Sequence, residues 1–190
     1  LAMADLSVIG KSVTRTDAIE KATGRAGFCS DIQLPGMLHM KVLRSPYPHA
    51  RILSIDTSEA EKVPGVRCVA TGKDAPDKRF GIGLIKDLAV LEKDVVRYIG
   101  MPVAAVAAET VEAAEEGMEK IKVKYEELPA VFDPEEAMRP DCPVVIHPDF
   151  PKYEKWVPDA RLDPDRPNVL THMKIRKGDV EKGFQEADLV

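Results

Sequence analysis

The stretch "MPVAAVAAETVEAAEEGMEKIKVKYEEL", Met101–Leu128, changes its apolar period partway along, and how it is read decides the fold class. From Thr110, the side chains of Val111, Ala114, Met118 and Ile121 fall on one face at about 100° per residue, which predicts a helix. Glu112, Glu115, Glu116 and Glu119 share the opposite face, and Thr110 is the expected N-cap. Early glutamates and late lysines (Lys120, Lys122, Lys124) suit the helix dipole, so the acidic stripe reads as a solvated face and not as a metal site. Beyond the helix the period becomes two. Ile121, Val123 and Tyr125 alternate with Lys122, Lys124 and Glu126, as in a half-buried strand. Ahead of the helix, "MPVAAVAAE" admits two readings: its alanines favour helix, whereas Val103 and Val106 suit a short buried strand. The strand reading gives strand–turn–helix–strand, an α+β unit.

Toward the N-terminus, Leu34-Pro35-Gly36-Met37 is a turn signal, and "MLHMKVLRS" beyond it reads as a strand. Ser45-Pro46 ends that strand, since proline removes a ladder donor and biases its predecessor. In "RSPYPHARI", Arg44–Ile52, a proline turn therefore joins two strands, the second being "ARILSIDTS". Arg44 and His49 are candidates for holding this turn by hydrogen bonds or for touching a neighbouring domain. Asp56, Thr57 or Ser58 can cap a short helix through "SEAEKV"; Pro64-Gly65 stops it, and "VRCVATG" starts a further strand. Asp17–Thr23 suits one helical turn closed by Gly24. Toward the C-terminus, nine of the fifteen prolines fall within residues 127–168, which predicts an extended segment laid over a surface. "NVLTHMKIRKGDVEKGFQEADLV" then suggests a strand followed by a short helix from Asp179 through Ala187.

At 190 residues the chain suits one domain with an extension or part of a second. Its hydrophobic content of 44% with 5% aromatics implies an aliphatic core that needs neither disulfides nor metals. The net charge of −5 arises from basic and acidic residues mixed along the chain, without the basic block expected of a nucleic-acid binder. No apolar run approaches the ~20 residues that span a bilayer, and no signal peptide is visible. Cys29, Cys68 and Cys142 are odd in number and widely spaced, which fits reduced thiols and a cytoplasmic setting.

Catalytic patterns are missing from the sequence. His39, His49, His147 and His172 are isolated from one another and from the cysteines, whereas a zinc site needs three or four convergent ligands. "FGIGLIKD" lacks the third glycine of a phosphate-binding turn and reads as ordinary loop. No nucleophile elbow or P-loop is present. Catalytic, cofactor-binding and metal residues are accordingly expected to be none.

Five segments taken in order alter that reading: "SVIGKSV", "FCSDIQLPGMLHMKVLRSPYPHARI", "VRYIGMPVAAVAAET", "IKVKYEELPAVFDPEEA" and "GDVEKGFQEADLV". Together they resemble the start of the large, molybdenum-binding subunit of the xanthine dehydrogenase and aldehyde oxidase family. Carbon monoxide dehydrogenase and 4-hydroxybenzoyl-CoA reductase large subunits are similar here. The resemblance implies an α+β fold, an α/β-hammerhead with a mixed sheet and few short helices, followed by the proline-rich extended segment. It makes "MPVAAVA" a strand. The implied division is an N-terminal arm (1–20), the hammerhead domain (21–132), a proline-rich connector (133–167) and the beginning of a truncated molybdopterin-binding domain (168–190).

The same resemblance implies that molybdopterin with its molybdenum, and the base beside it, are held by downstream domains of the same chain. Electrons would leave through 2Fe-2S and FAD centres on partner subunits or domains. Intact members hydroxylate a carbon next to nitrogen or oxygen with water as the oxygen source, and a reductase branch removes a hydroxyl. This fragment, by itself inactive, would be a structural domain of that oxidoreductase. The alternative is a stand-alone scaffold or small-molecule-binding module of the same fold. Departures from the family pattern are Phe28, where tyrosine is frequent, and the loop at 73–90.

Overall fold

The computed structural model describes residues 8–81, 85–155, 163–172, 175 and 177–189. The chain divides into two compact units, Leu1–Met37 and Leu38–Val190. In the first, α1 spans Ala18–Ala22 and a 3-10 turn spans Cys29–Asp31, and neither contains a buried residue. Gly24 follows α1 with φ +70°, the left-handed geometry expected of a residue that closes a helix.

The second unit contains two three-stranded sheets. One has the order β1 (His39–Arg44), β5 (Pro102–Ala108), β3 (Val66–Thr71). The other has the order β4 (Val95–Val96), β2 (Ala50–Asp56), β6 (Lys122–Glu127). All of these pairings are antiparallel, so the mixed sheet implied by the resemblance resolves into two antiparallel ones. In the first sheet Val42 lies opposite Ala105, which lies opposite Ala70. In the second, Ile55 pairs with Val123 and Ile52 with Tyr125.

The ambiguous "MPVAAVAAE" is a strand because it is central and lies between two apolar clusters. Val103 joins Ala50, Val96 and Met101, while Ala104 and Val106 join Ala60 and Ile121. A strand buried on both faces reads as a continuous apolar run, and that context overrides the helical preference of alanine.

Helix α2 (Val111–Lys120) lies against the first sheet. Thr110 caps it, its hydroxyl accepting the Ala113 N–H at 3.1 Å. The buried positions are Ala114 and Gly117, whereas Val111 sits 39% exposed at the margin. A Cβ at Gly117 would come within 3.0 Å of methyls of Val106 and Val66, so the helix rides close to the sheet. The glutamate face is exposed, with Glu116 paired to Lys120 at 2.6 Å and Glu115 to Lys41 at 3.1 Å.

Two sequence expectations are corrected. "SEAEKV" forms successive turns instead of a helix. Asp56 accepts both the N–H and the hydroxyl of Ser58 (3.0 and 2.7 Å), but the chain must bury both Ala60 and Val63 before it reaches Pro64. So short a segment gains little from helix propagation. The strand expected from Asn168 is absent at 168–172; residues 173, 174 and 176 lie outside those described. Asn168 instead ties separate segments together, accepting the Ile146 N–H at 2.9 Å and donating to the carbonyls of Val144 (2.7 Å) and Ala137 (3.2 Å). Asp179 does cap α4 (Val180–Gln185), which ends two residues before Ala187.

The proline-rich segment contains only α3 (Pro134–Ala137) and a 3-10 turn at Phe150–Lys152 as regular structure in its described part. It is held down by its aromatics, for Phe150 and Tyr153 bury against Ile85, with Leu170 beside them.

Candidate docking site beside the Arg44–His49 turn

The proline turn is built from backbone outward. Ser45, 2% exposed, exchanges bonds with the strand pair, its N–H donating to Met101 O at 2.9 Å and its carbonyl accepting from Gly100 N at 2.8 Å. Its hydroxyl accepts the Tyr47 N–H at 3.0 Å and so closes the turn locally. Arg44 donates from Nη1 to Gly100 O at 2.9 Å, where β1 carries a bulge against β5. His49 donates from Nδ1 to Pro129 O at 2.5 Å, and its own carbonyl accepts Leu128 N–H at 3.0 Å. Tyr47 and Tyr125 stack obliquely beneath, 5.1 Å between centroids, and burial pushes the Tyr125 phenol above its ordinary pKa. Both residues singled out from sequence therefore reach backbone carbonyls of distant segments; they do not reach each other.

His49 also borders an apolar groove. Pro48, Tyr98, Ile99, Phe132, Val144 and Ile146 form its walls, enclosing about 330 Å³. Arg97 braces it, donating from Nε to Ile146 O at 3.1 Å and from Nη1 to Val95 O at 3.3 Å. Sequence reading missed this groove because its walls come from four separated segments. No local pattern in the sequence announces it, because the four segments meet only in the folded chain.

A second cluster, also missed, is polar. Glu92 is 1% exposed and accepts the N–H groups of Lys93 (3.1 Å) and Asp94 (3.3 Å), with Arg79 Nη1 at 3.4 Å. Arg79 lies over the Tyr153 ring and donates to Asp87 O at 2.7 Å. His147 meets Tyr153 edge-on, and its Nε2 is 3.7 Å from Asp87. Burial pulls the His147 pKa below its ordinary value; Asp87 opposes this, and Arg97 and Arg79 add to it. The cluster joins the loop before β4 to the proline-rich segment and presents no nucleophile–base pair.

No group of three His, Cys, Asp or Glu side chains able to hold an ion occurs among the described residues, and the groove walls are apolar. The loop "FGIGLIKD" falls partly on residues 82–84, outside those described. Cys29, Cys68 and Cys142 are free thiols. No described helix is long and apolar enough to cross a membrane.

Comparison with known proteins supplies the context for this geometry. Residues 23–129 match the family model described as "Aldehyde oxidase and xanthine dehydrogenase, a/b hammerhead domain". A probable xanthine dehydrogenase component from Bacillus subtilis (strain 168) is 45% identical over 94% of this chain, which spans 22% of that protein. The nicotinate dehydrogenase large molybdopterin subunit of Eubacterium barkeri is 37% identical over 98% of this chain and 40% of its own length. Among solved structures, the reconstituted CO dehydrogenase from Oligotropha carboxidovorans superposes with a TM-score of 0.66 at 36% identity, covering 72% of this chain and 17% of that one. The chain thus spans well under half the length of these relatives, and it belongs to the aldehyde oxidase and xanthine dehydrogenase family of molybdenum-dependent oxidoreductases, whose hammerhead domain it contains.

Proposed function

We propose that this chain is the N-terminal part of a molybdopterin-dependent oxidoreductase large subunit, and that its own role is architectural. Residues 21–132 act as the hammerhead domain, 133–167 as a connector, and 168–190 as the first residues of a molybdopterin-binding domain; residues 1–20 form an arm. Catalytic and cofactor-holding groups belong to the downstream domains, and 2Fe-2S and FAD centres to partner subunits or domains. Arg44 and His49 serve to hold the interstrand turn at a domain boundary. The free thiols suit a cytoplasmic setting.

The observation that carries this reading is the ordered match of nearly the whole chain to a small fraction of much longer relatives. A stand-alone module draws no support from it. The experiment is to express the 190-residue chain in a host that makes molybdopterin and to assay the purified protein for pterin by fluorescence after oxidation. Protein free of pterin is the expected result. Stoichiometric pterin would overturn the assignment of cofactor binding to the downstream domains.

A further inference from the structure

We propose that two copies of this chain pair edge to edge through β6, antiparallel about a twofold axis at Tyr125, and so join their second sheets into one. The inference goes beyond the architectural role above and does not depend on it.

Strand β6 lies at the edge of its sheet, with β2 as its single strand neighbour. The register with β2 decides which backbone groups it leaves over. Leu128 N–H donates to His49 O at 3.0 Å, while Ile52, opposite Tyr125, turns its N–H away to Asp94 O at 2.8 Å. The bulge in this pair falls on β2, between Ile52 and Ser54, so the alternation along β6 is unbroken. Lys122, Lys124 and Glu126 therefore direct their backbone groups at β2, and Val123, Tyr125 and Glu127 direct theirs outward. Among the described residues, those outward N–H groups make no bond to another part of the chain. An edge row of this kind is a template for another strand.

Charge selects a second copy as that strand. Lysines occupy the first half of β6 and glutamates its end, so the strand complements itself when reversed. The pleat admits only registers that set the exposed face of one copy beside the exposed face of the other. With the axis at Tyr125, Lys124 stands opposite Glu126 of the second copy, and Glu126 opposite its Lys124. The outward groups then coincide as well, Tyr125 with Tyr125 and Val123 with Glu127. Moving the axis by one residue sets Lys124 against Lys124 or Glu126 against Glu126, where like charges directly opposite destabilise the pair. Lys124 is exposed and has no ion-pair partner among the described residues. Glu126 is half-exposed beside Arg51 at 2.9 Å, so each new pair extends an existing one. A contact of one short strand per copy belongs to the weak end of protein interfaces, and the dimer forms only in concentrated solution.

The first test is residue-resolved amide exchange of the 190-residue chain from dilute to submillimolar solution. The amides of Lys124 and Glu126, directed at β2, should be slow at every concentration and so report a folded sheet. Those of Val123, Tyr125 and Glu127 should exchange fast when dilute and slow roughly tenfold when concentrated. Outward amides that stay fast, or that are already slow in dilute solution, overturn the proposal. Fast exchange at Lys124 and Glu126 overturns it too, since no edge then exists to pair.

The second test reverses the charges. Lys124→Glu and Glu126→Lys each put like charges across the axis and should weaken self-association, read by sedimentation, by roughly tenfold or more. An equal mixture of the two should restore it, because every glutamate then faces a lysine. Variants that associate like the parent, or a mixture that stays monomeric, contradict the register. A dimer that leaves the three outward amides unprotected lies on another surface and overturns the proposal. If Glu126→Lys fails to fold without its Arg51 bond, the exchange measurement on the parent still decides.

Discussion

Gly72 follows β3 and is held against the backbone of Leu91–Lys93. A Cβ at this position would lie 2.7 Å from Leu91 O, 2.7 Å from Lys93 Cβ and 3.0 Å from the carbonyl carbon of Glu92. That backbone has little freedom to retreat. Glu92 N–H donates to Pro102 O at 2.8 Å, and the Glu92 carboxylate accepts from the next two N–H groups. Gly72→Ala should stiffen the unfolded chain, a gain of about 0.4–1 kcal/mol. Forcing a methyl into a filled site costs about 1–3 kcal/mol. The clash wins, and the expected net loss is about 1–2 kcal/mol.

The assay is urea unfolding of the 190-residue chain followed by circular dichroism. With a slope of about 1–3 kcal/mol per molar urea, the midpoint should fall by roughly 0.5–1 M while the slope stays constant. Gly117→Ala is the internal comparison. Its added methyl meets only valine side chains at 3.0 Å, and alanine improves helix propensity by about 1 kcal/mol, so its loss should be smaller. A Gly72→Ala protein as stable as the parent, or a reversed order of the two variants, would refute the close-approach argument.

Three further outcomes are expected. Thr110→Ala removes the cap of α2 and should cost about 1 kcal/mol in the same unfolding assay. Glu92→Ala leaves two N–H groups and Arg79 short of a partner in a nearly dry site, and should cost about 2–3 kcal/mol, read as a lowered thermal midpoint. His147 has a folded-state pKa below its unfolded value, first through burial and then through Arg97 and Arg79 against the opposing Asp87. The unfolded chain therefore takes up the proton first, and this stability contribution, complete above about pH 6.5, is lost as pH falls from there toward the folded pKa. Urea midpoints between about pH 7.5 and 5.5 should fall more steeply for the parent than for His147→Gln; parallel slopes would contradict the assignment.

Local chemistry explains which parts of this fold are legible in the sequence. Thr110 and the Ile121–Tyr125 alternation announce α2 and β6 because capping and period act within a few residues. "MPVAAVAAE" resists such reading, since its strand state comes from β1 and β3 on either side, and only the resemblance favours it. Gly117 carries a usable signal, an isolated glycine inside a helical pattern, which marks a tight packing contact. Glu92 carries none: a glutamate in a charged loop looks solvated, and only the approach of Gly72 and Arg79 buries it. The groove beside His49 is likewise invisible in sequence, because residues 48, 98, 132 and 146 meet only after the turn, the strands and the proline-rich segment are in place. Arg44 and His49 stand out in sequence by their place in a proline turn, but their partners, Gly100 and Pro129, are 56 and 80 residues away.

The central proposal, that this chain is part of the large subunit of a molybdenum oxidoreductase, is tested most directly by the metal content of the full natural protein. The protein is purified from its own source and measured by elemental mass spectrometry against its polypeptide concentration. About one molybdenum per large chain is the expected result on this family assignment. A folded, full-length protein without molybdenum, from cells that supply it, would contradict the account.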